Sequence, residues 1–312
     1  MNLTRRHFLK YPSLFALSSS VLVRGQQSEH EPELHFPTKP RDRLAVTSWP
    51  FRAYIESPTN HGRDHSKPGM DLTEFPALVA SKFGVYNINP LSDHFRSSES
   101  AYLDAFRRAV EKAHSHIVDL GLPGGHFYAP DPATRKAGID LGRKWIDIAR
   151  VIGSPSVRQH VSGSPGTKPD VALTAGSLGE LAEYGSKRGI VVNLENDNPV
   201  AEDPFFLVSV IQKVNNPYLR ALPDFGNSLI DHDPEYNEKG VRAMIRYVYN
   251  MCHVKDTVEG DDGKRATVDL KKMFAIAREN SYRGYFSMEF DTGAGDPFHG
   301  TEQLVQQSLR YM

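Results

Sequence analysis

From residue 44 onward, short apolar runs alternate with longer stretches whose apolar positions recur at helical spacing. "LAVTSW" (44–49) reads as a strand and "DLTEFPALVASKFG" (71–84) as a helix closed by glycine. "VYNINPL" (85–91) precedes the helical "AYLDAFRRAVEKAH" (101–114), and "HIVDLGL" (116–122) precedes "ATRKAGIDLGRKWIDIARVIG" (133–153). "SVRQHV" (156–161) leads into the helix at 172–189, and "IVVNLEND" (190–197) into the helix at 204–214. The last three strands are "LRALPDF" (219–225), "YNMCHVKD" (249–256) and "YFSMEFD" (285–291), each followed by a helical stretch. Strands alternating with helices imply a parallel sheet. Eight such units over residues 44–312, with no internal repeat and no second linker, predict a closed (β/α)8 TIM barrel. The glycine-rich dinucleotide fingerprint is missing after the first strand, where "TSWPFRAY" stands, so an open doubly wound sheet is the weaker reading.

The residues before the barrel have another character. Arg5 and Arg6 precede an apolar run, "YPSLFALSSSVLV" (11–23), which is too short to cross a bilayer core of about 30 Å but suits an export signal. The pattern resembles a twin-arginine signal over residues 1–25, which implies the twin-arginine export machinery as a partner, a periplasmic or extracellular location, and no stable membrane anchor. The polar, proline-containing residues 26–43 read as a linker. Cleavage would remove Arg5, Arg6, Lys10 and Arg24 and no acid, leaving 33 of the 37 basic residues against 38 acidic ones. That balance disfavours nucleic acid as a partner. A lone cysteine, Cys252, excludes an internal disulfide, and its apolar run marks it as a core thiol.

In a TIM barrel the chemistry sits at the C-terminal ends of the strands. Strands five to eight end in Glu195, Asp224, His253 and Glu289. Each has an ordinary structural reading: a glutamate paired with Arg158, an aspartate capping "DFGN", a hydrogen-bonded core histidine. Three carboxylates converging without a cation would repel one another until one took a proton. A divalent metal resolves the conflict, and one histidine with three carboxylates is a hard, oxygen-rich donor set. It favours Mn2+, suits Mg2+ and Co2+, and is compatible with Zn2+.

These four strand ends, in "NLEND", "LPDFGN", "CHVKD" and "SMEF", resemble the sugar phosphate isomerase/epimerase family, the xylose isomerase-like barrels, from about residue 43 to the end. The resemblance implies that Glu195 and Glu289 are both ligands and the acid/base pair of a sugar isomerase or epimerase. Such an enzyme abstracts a proton beside a carbonyl, and the metal stabilises the enediolate. Ketose epimerases of this kind often carry histidine where this chain has Asn227. Asn227 can bind a substrate hydroxyl but cannot shuttle a proton.

Lys255, two residues beyond His253, shares its strand face and is a candidate substrate ligand or proton donor. Further substrate-binding candidates are Trp49, His126, and the pair Arg158 and His160, which alternation puts on one face. The excursion 51–70 has the length of a lid. The acidic, lysine-free "TGAGDPFHG" (292–300) argues for a neutral sugar over a phosphorylated one. Three alternatives to the isomerase are a lyase or hydratase of keto-sugars or keto-glycosides, a non-catalytic sugar-binding protein, and an endonuclease-like metallohydrolase.

Overall fold

The computed structural model describes residues 31–312 apart from Asp261 and Asp262. The twin-arginine signal and the start of the linker therefore lie outside the described residues, as do two acids of the "GDDGK" stretch. Among the described residues no helix is long and apolar enough to cross a membrane.

The chain forms a (β/α)8 barrel. Its parallel strands begin with Leu44–Thr47 and Asn87–Asn89 and continue, from the fourth, as Ser156–Arg158, Val191–Glu195, Leu219–Leu222, Met251–Val254 and Tyr285–Met288. The third position differs from the single strand expected over 116–122. His116–Ile117 pairs with the second strand, whereas Leu120–Gly121 pairs with the fourth, so the chain changes partner at Val118 and Asp119. First and eighth strands lie in parallel register, Leu44 opposite Phe286 and Val46 opposite Met288. Isolated bridges, Leu91 to Gly121, Ala221 to Val248 and Asp224 to His253, link the remaining neighbours around the ring.

Among the described residues eight α-helices form the outer layer: α1 (Phe75–Phe83), α2 (Ser100–Lys112), α3 (Pro132–Ile152), α4 (Val171–Ser186), α5 (Pro204–Val214), α6 (Pro234–Met244), α7 (Leu270–Glu279) and α8 (Pro297–Tyr311). Local chemistry fixes their starts. Asp131, Asp170, Asp203, Asp233, Asp269 and Asp296 each accept main-chain N–H groups in the first turn of α3 to α8. Gly84 and Gly153 end α1 and α3 in left-handed conformation, which glycine adopts without Cβ strain. Between strands and helices lies a continuous apolar core, from Leu44 and Val46 to Leu304 and Val305. Cys252 is buried in it.

Residues 51–70, the length of a lid, are tied down at their base. Ile55 and Met70 form a bridge, Phe51 and Ile55 are buried, and Ser57 and Thr59 hydrogen-bond the carbonyls of Phe95 and Asp93. Just before the first strand, Arg43 donates to the carbonyls of Gly284 and Tyr282, which anchors the last residues of the polar N-terminal stretch beside the eighth strand.

Candidate metal centre

Strands five to eight deliver their ionisable residues to one point. Glu195 ends the fifth strand, His253 is the penultimate residue of the seventh, and Asp224 and Glu289 lie two residues beyond the sixth and one beyond the eighth. One donor atom from each of Glu195, Asp224, His253 and Glu289 lies within 4.8 Å of all the others, and all four residues are buried. Ligands about 2.1 Å from a common ion lie within about 4.2 Å of each other, so only small adjustments separate this geometry from a coordination shell.

The ordinary structural readings of Asp224, Glu195 and His253 hold as well, but each uses only part of the side chain. Asp224 Oδ1 accepts the N–H groups of Gly226 and Asn227, both at 2.7 Å, and so caps the turn. Its Oδ2 is buried without a hydrogen-bond partner. Glu195 Oε2 is held by Arg158, while its Oε1 faces His253 Nδ1. The same Nδ1 lies 2.6 Å from Glu289 Oε2. Structural partners thus orient one atom each of Asp224, Glu195 and His253 and leave another facing the centre. An orphaned buried carboxylate oxygen such as Asp224 Oδ2 is costly unless a cation meets it. The donor set therefore fits a hard divalent ion.

Without an ion, protons and neighbouring cations share the neutralisation of the carboxylates. Burial opposes charge on His253, but Glu195 and Glu289 outweigh it and raise its pKa to about 10. Burial pushes Asp224 up to about 7 against the pull of Lys255. Glu195 and Glu289 are also disfavoured by burial. His253 and Arg158 nevertheless hold Glu195 well below the usual carboxylate range, and His253 and Lys255 bring Glu289 down to about 2.

Above the four donors opens a cavity of about 260 Å3, lined among others by Trp49, Arg158, His160, Asn227, Lys255 and Glu289. Pockets for small molecules run from roughly 300 Å3 upward, so this one suits a single small ligand. Lys255 is buried, with Nζ 2.6 Å from Asn227 Oδ1 and 3.6 Å from Asp224 Oδ2. An outward pairing with Asp256 is not formed; Asp256 instead accepts from Gln307. Asn227 also donates to the Asn196 carbonyl and to Asp197, so most of its capacity is used within the protein. Arg158 and His160 do share a face, with Nη1 and Nε2 2.6 Å apart, and His160 Nδ1 meets Glu202 at 3.0 Å. Trp49 is 42% exposed at the rim, with the Arg52 guanidinium 4.0 Å from its ring centroid.

His126 is placed elsewhere. An extra strand pair, Gly125–His126 with Val161–Ser162, carries it outward, where it is exposed and hydrogen-bonded to the Gly163 carbonyl. A larger cavity, about 890 Å3, lies at the opposite end of the barrel around His116, Asn87 and Tyr285 and contains none of the candidate residues. The sequence reading passed over Asp93 and Asp197, which line the small cavity, and the buried Glu202 behind His160. "NDNPVAED" hides Glu202 in a polar loop that carries no periodic signal.

The sequence profile described as the xylose isomerase-like TIM barrel matches residues 78–312. The chain belongs to this family. No curated protein matches the sequence. Among solved structures, a xylose isomerase-like TIM barrel protein from Mycobacterium smegmatis in complex with magnesium is 16% identical, with TM-score 0.63, over 86% of this chain and 97% of that one. A D-allulose 3-epimerase from Methylomonas sp. in complex with D-allulose is 16% identical, with TM-score 0.64, over 89% and 98%. A D-psicose 3-epimerase from Clostridium cellulolyticum H10 with D-tagatose is 13% identical, with TM-score 0.64, over 86% and 97%. At such identities the likeness establishes the shared xylose isomerase-like barrel.

Proposed function

We propose that this xylose isomerase-like barrel is an exported, divalent-metal-dependent sugar isomerase or epimerase, with Mn2+ the favoured ion. The observation that carries the reading is the convergence of Glu195, Asp224, His253 and Glu289, with the inward oxygen of Asp224 buried without a hydrogen-bond partner. The named neighbours that bind magnesium or ketoses support it at the level of the fold. When bound, the ion would neutralise the carboxylates and stabilise charge developing on a substrate oxygen.

The residues divide the remaining work. Glu289 lines the cavity and takes a proton from the carbon beside the substrate carbonyl. Glu195, two strands before His253 in the barrel order, would return a proton to that carbon in epimerisation after taking one up from solvent, and Glu289 would release its proton to solvent in turn. Trp49 offers its exposed ring to the apolar face of a sugar, and Lys255 and Arg158 meet its oxygens. A second reading is elimination from a keto-sugar or keto-glycoside. It is favoured by the buried Lys255 ammonium, which can protonate a leaving group, and by the Arg158 contact that occupies one oxygen of Glu195.

The test is metal content and deuterium exchange. Purified mature protein should hold about one divalent ion per chain, largely lost in Glu289→Gln, and should exchange a sugar C–H with D2O only when the ion is present. A wild-type protein that takes up neither Mn2+ nor Mg2+ would sink both enzymatic readings. Exchange accompanied by loss of a glycosidic or hydroxyl group would select the elimination.

A further inference from the structure

Asn89, in the second strand, lies across the barrel from the strands that carry the four donors, and it is fully buried. Its Oδ1 is 2.9 Å from His253 Nε2. At its other end, Nδ2 lies 3.1 Å from the main-chain carbonyl of Asp119 and 3.4 Å from Asp119 Oδ2. Asp119 is buried too, and its Oδ1 accepts from Ser156 Oγ and Asn193 Nδ2.

These contacts have a direction. A carboxamide donates at nitrogen and accepts at oxygen, and a main-chain carbonyl can only accept. The Asp119 carbonyl therefore fixes which end of Asn89 turns toward it, and the acceptor end is left for His253. Nε2 must then carry the ring proton. In the neutral ring this leaves the lone pair on Nδ1, the nitrogen that faces Glu195 and Glu289. A reversed amide would offer an N–H to Nε2, move the ring proton to Nδ1, and aim an N–H at the point where the carboxylates converge.

We propose that Asn89 is a positioning residue for the metal centre: it holds His253 as the Nε2–H tautomer and so makes Nδ1 a ligand, with Asp119 setting the direction of the amide. The proposal rests on the metal reading of the four donors. Hydrogen-bond partners of a ligating histidine fix its tautomer and orientation, and their loss typically weakens metal binding 10- to 100-fold.

Co2+ serves as the probe, because it reports affinity and coordination through its visible absorption. The mature chain, Asn89→Leu and Asn89→Asp are titrated with Co2+, and their folding is followed by urea denaturation. Asn89→Leu, which has no acceptor, should bind Co2+ about 10- to 100-fold more weakly with altered absorption bands. Asn89→Asp, which keeps an acceptor toward Nε2 and, protonated on its other oxygen, a donor toward the Asp119 carbonyl, should restore most of the affinity and the wild-type bands. An unchanged Co2+ affinity and spectrum in Asn89→Leu, even with lower stability, would overturn the proposal and leave the metal site standing. No Co2+ uptake by the wild type would overturn both. If Asn89→Leu does not fold, the wild type still decides: with 15N-labelled histidine and diamagnetic Zn2+, the ring that responds to the ion should be protonated at Nε2. A proton on Nδ1 of that ring would refute the assignment.

Discussion

Arg158 and Glu195 form a buried ion pair between adjacent barrel strands, and the same guanidinium nitrogen reaches His160. The pair occupies one oxygen of a residue whose other oxygen faces the proposed ion position. Arg158 therefore stabilises the carboxylate and also places a positive charge beside any bound cation, two effects of opposite sign for metal binding. Breaking a buried pair by removing one partner costs about 3–5 kcal/mol. Arg158→Met should lose roughly that much stability in EDTA and clearly less in saturating Mn2+, because the ion takes over the neutralisation of Glu195. By linkage the variant should also bind Mn2+ more tightly. Urea denaturation with and without Mn2+ measures both. Equal losses in the two conditions would mean that Arg158 is not coupled to the ion site.

Much of this centre was legible because of where the barrel puts strand ends. Glu195, Asp224, His253 and Glu289 each close an apolar run, and a parallel barrel brings the four ends to one face. What the runs could not show was the cross-strand pairing that lets each residue serve two purposes. Arg158 meets Glu195 from 37 residues away, and Asn89 meets His253 from 164 away. A polar residue inside "YNIN" looks like any interior asparagine until the strand opposite is known. His126 shows the converse. Its position just beyond the third strand suggested the cavity, but the short extra pairing with Val161–Ser162 turns it to solvent. The third strand itself read as one apolar run because Asp119, buried among partners from other strands, gives no local sign of a change of partner.

Lys255 is outside the donor set, so its loss should separate chemistry from metal binding. Lys255→Met should retain the ion, and removing a neighbouring cation should leave affinity equal or stronger. Turnover of any sugar that the wild type exchanges or cleaves should fall about 10²- to 10⁴-fold, the range for a positioned proton donor or acceptor. Mn2+ titration alongside a rate measurement distinguishes the outcomes. Full activity would return Lys255 to a structural role beside Asn227, and loss of the ion would place it within the metal site.

Gly121 lies where a side chain would collide with the site's support. A Cβ there would come within 2.4 Å of Leu91 Cδ2 and 2.7 Å of Arg158 Nη2. Gly121→Ala should therefore destabilise the protein by about 1–3 kcal/mol, the usual cost of overpacking. It should also loosen the Arg158–Glu195 pair, so that Mn2+ affinity changes with it. Gly124→Ala is the control: its Cβ would meet only His160 Cβ, at 3.9 Å, an ordinary contact. Thermal unfolding of the two variants should differ clearly. Equal stability would show that Leu91 and Arg158 can yield without cost.

His94 makes the fold acid-sensitive at a position outside the donor set. It is buried, and its Nδ1 lies 2.7 Å from Ser48 Oγ, which itself accepts the N–H of Leu91. The serine hydroxyl can make its hydrogen bond to Nδ1 with either tautomer of the neutral ring. Burial, reinforced by the positive charge of Arg52, lowers the His94 pKa from 6.5 to about 3. The unfolded chain therefore takes up this proton first as the pH falls. The sign follows: the contribution of His94 is complete above pH 6.5 and shrinks by about 1.4 kcal/mol per pH unit between 6.5 and 3. Between pH 7 and pH 5 the protein should lose about 2 kcal/mol through this residue. His94→Gln cannot titrate, so its stability should fall less over the same interval, while carboxylates common to both proteins cancel in the comparison. Urea unfolding of wild type and variant at the two pH values gives the difference directly. Parallel losses would mean that the His94 ring takes up a proton within the fold about as readily as it does in the unfolded chain.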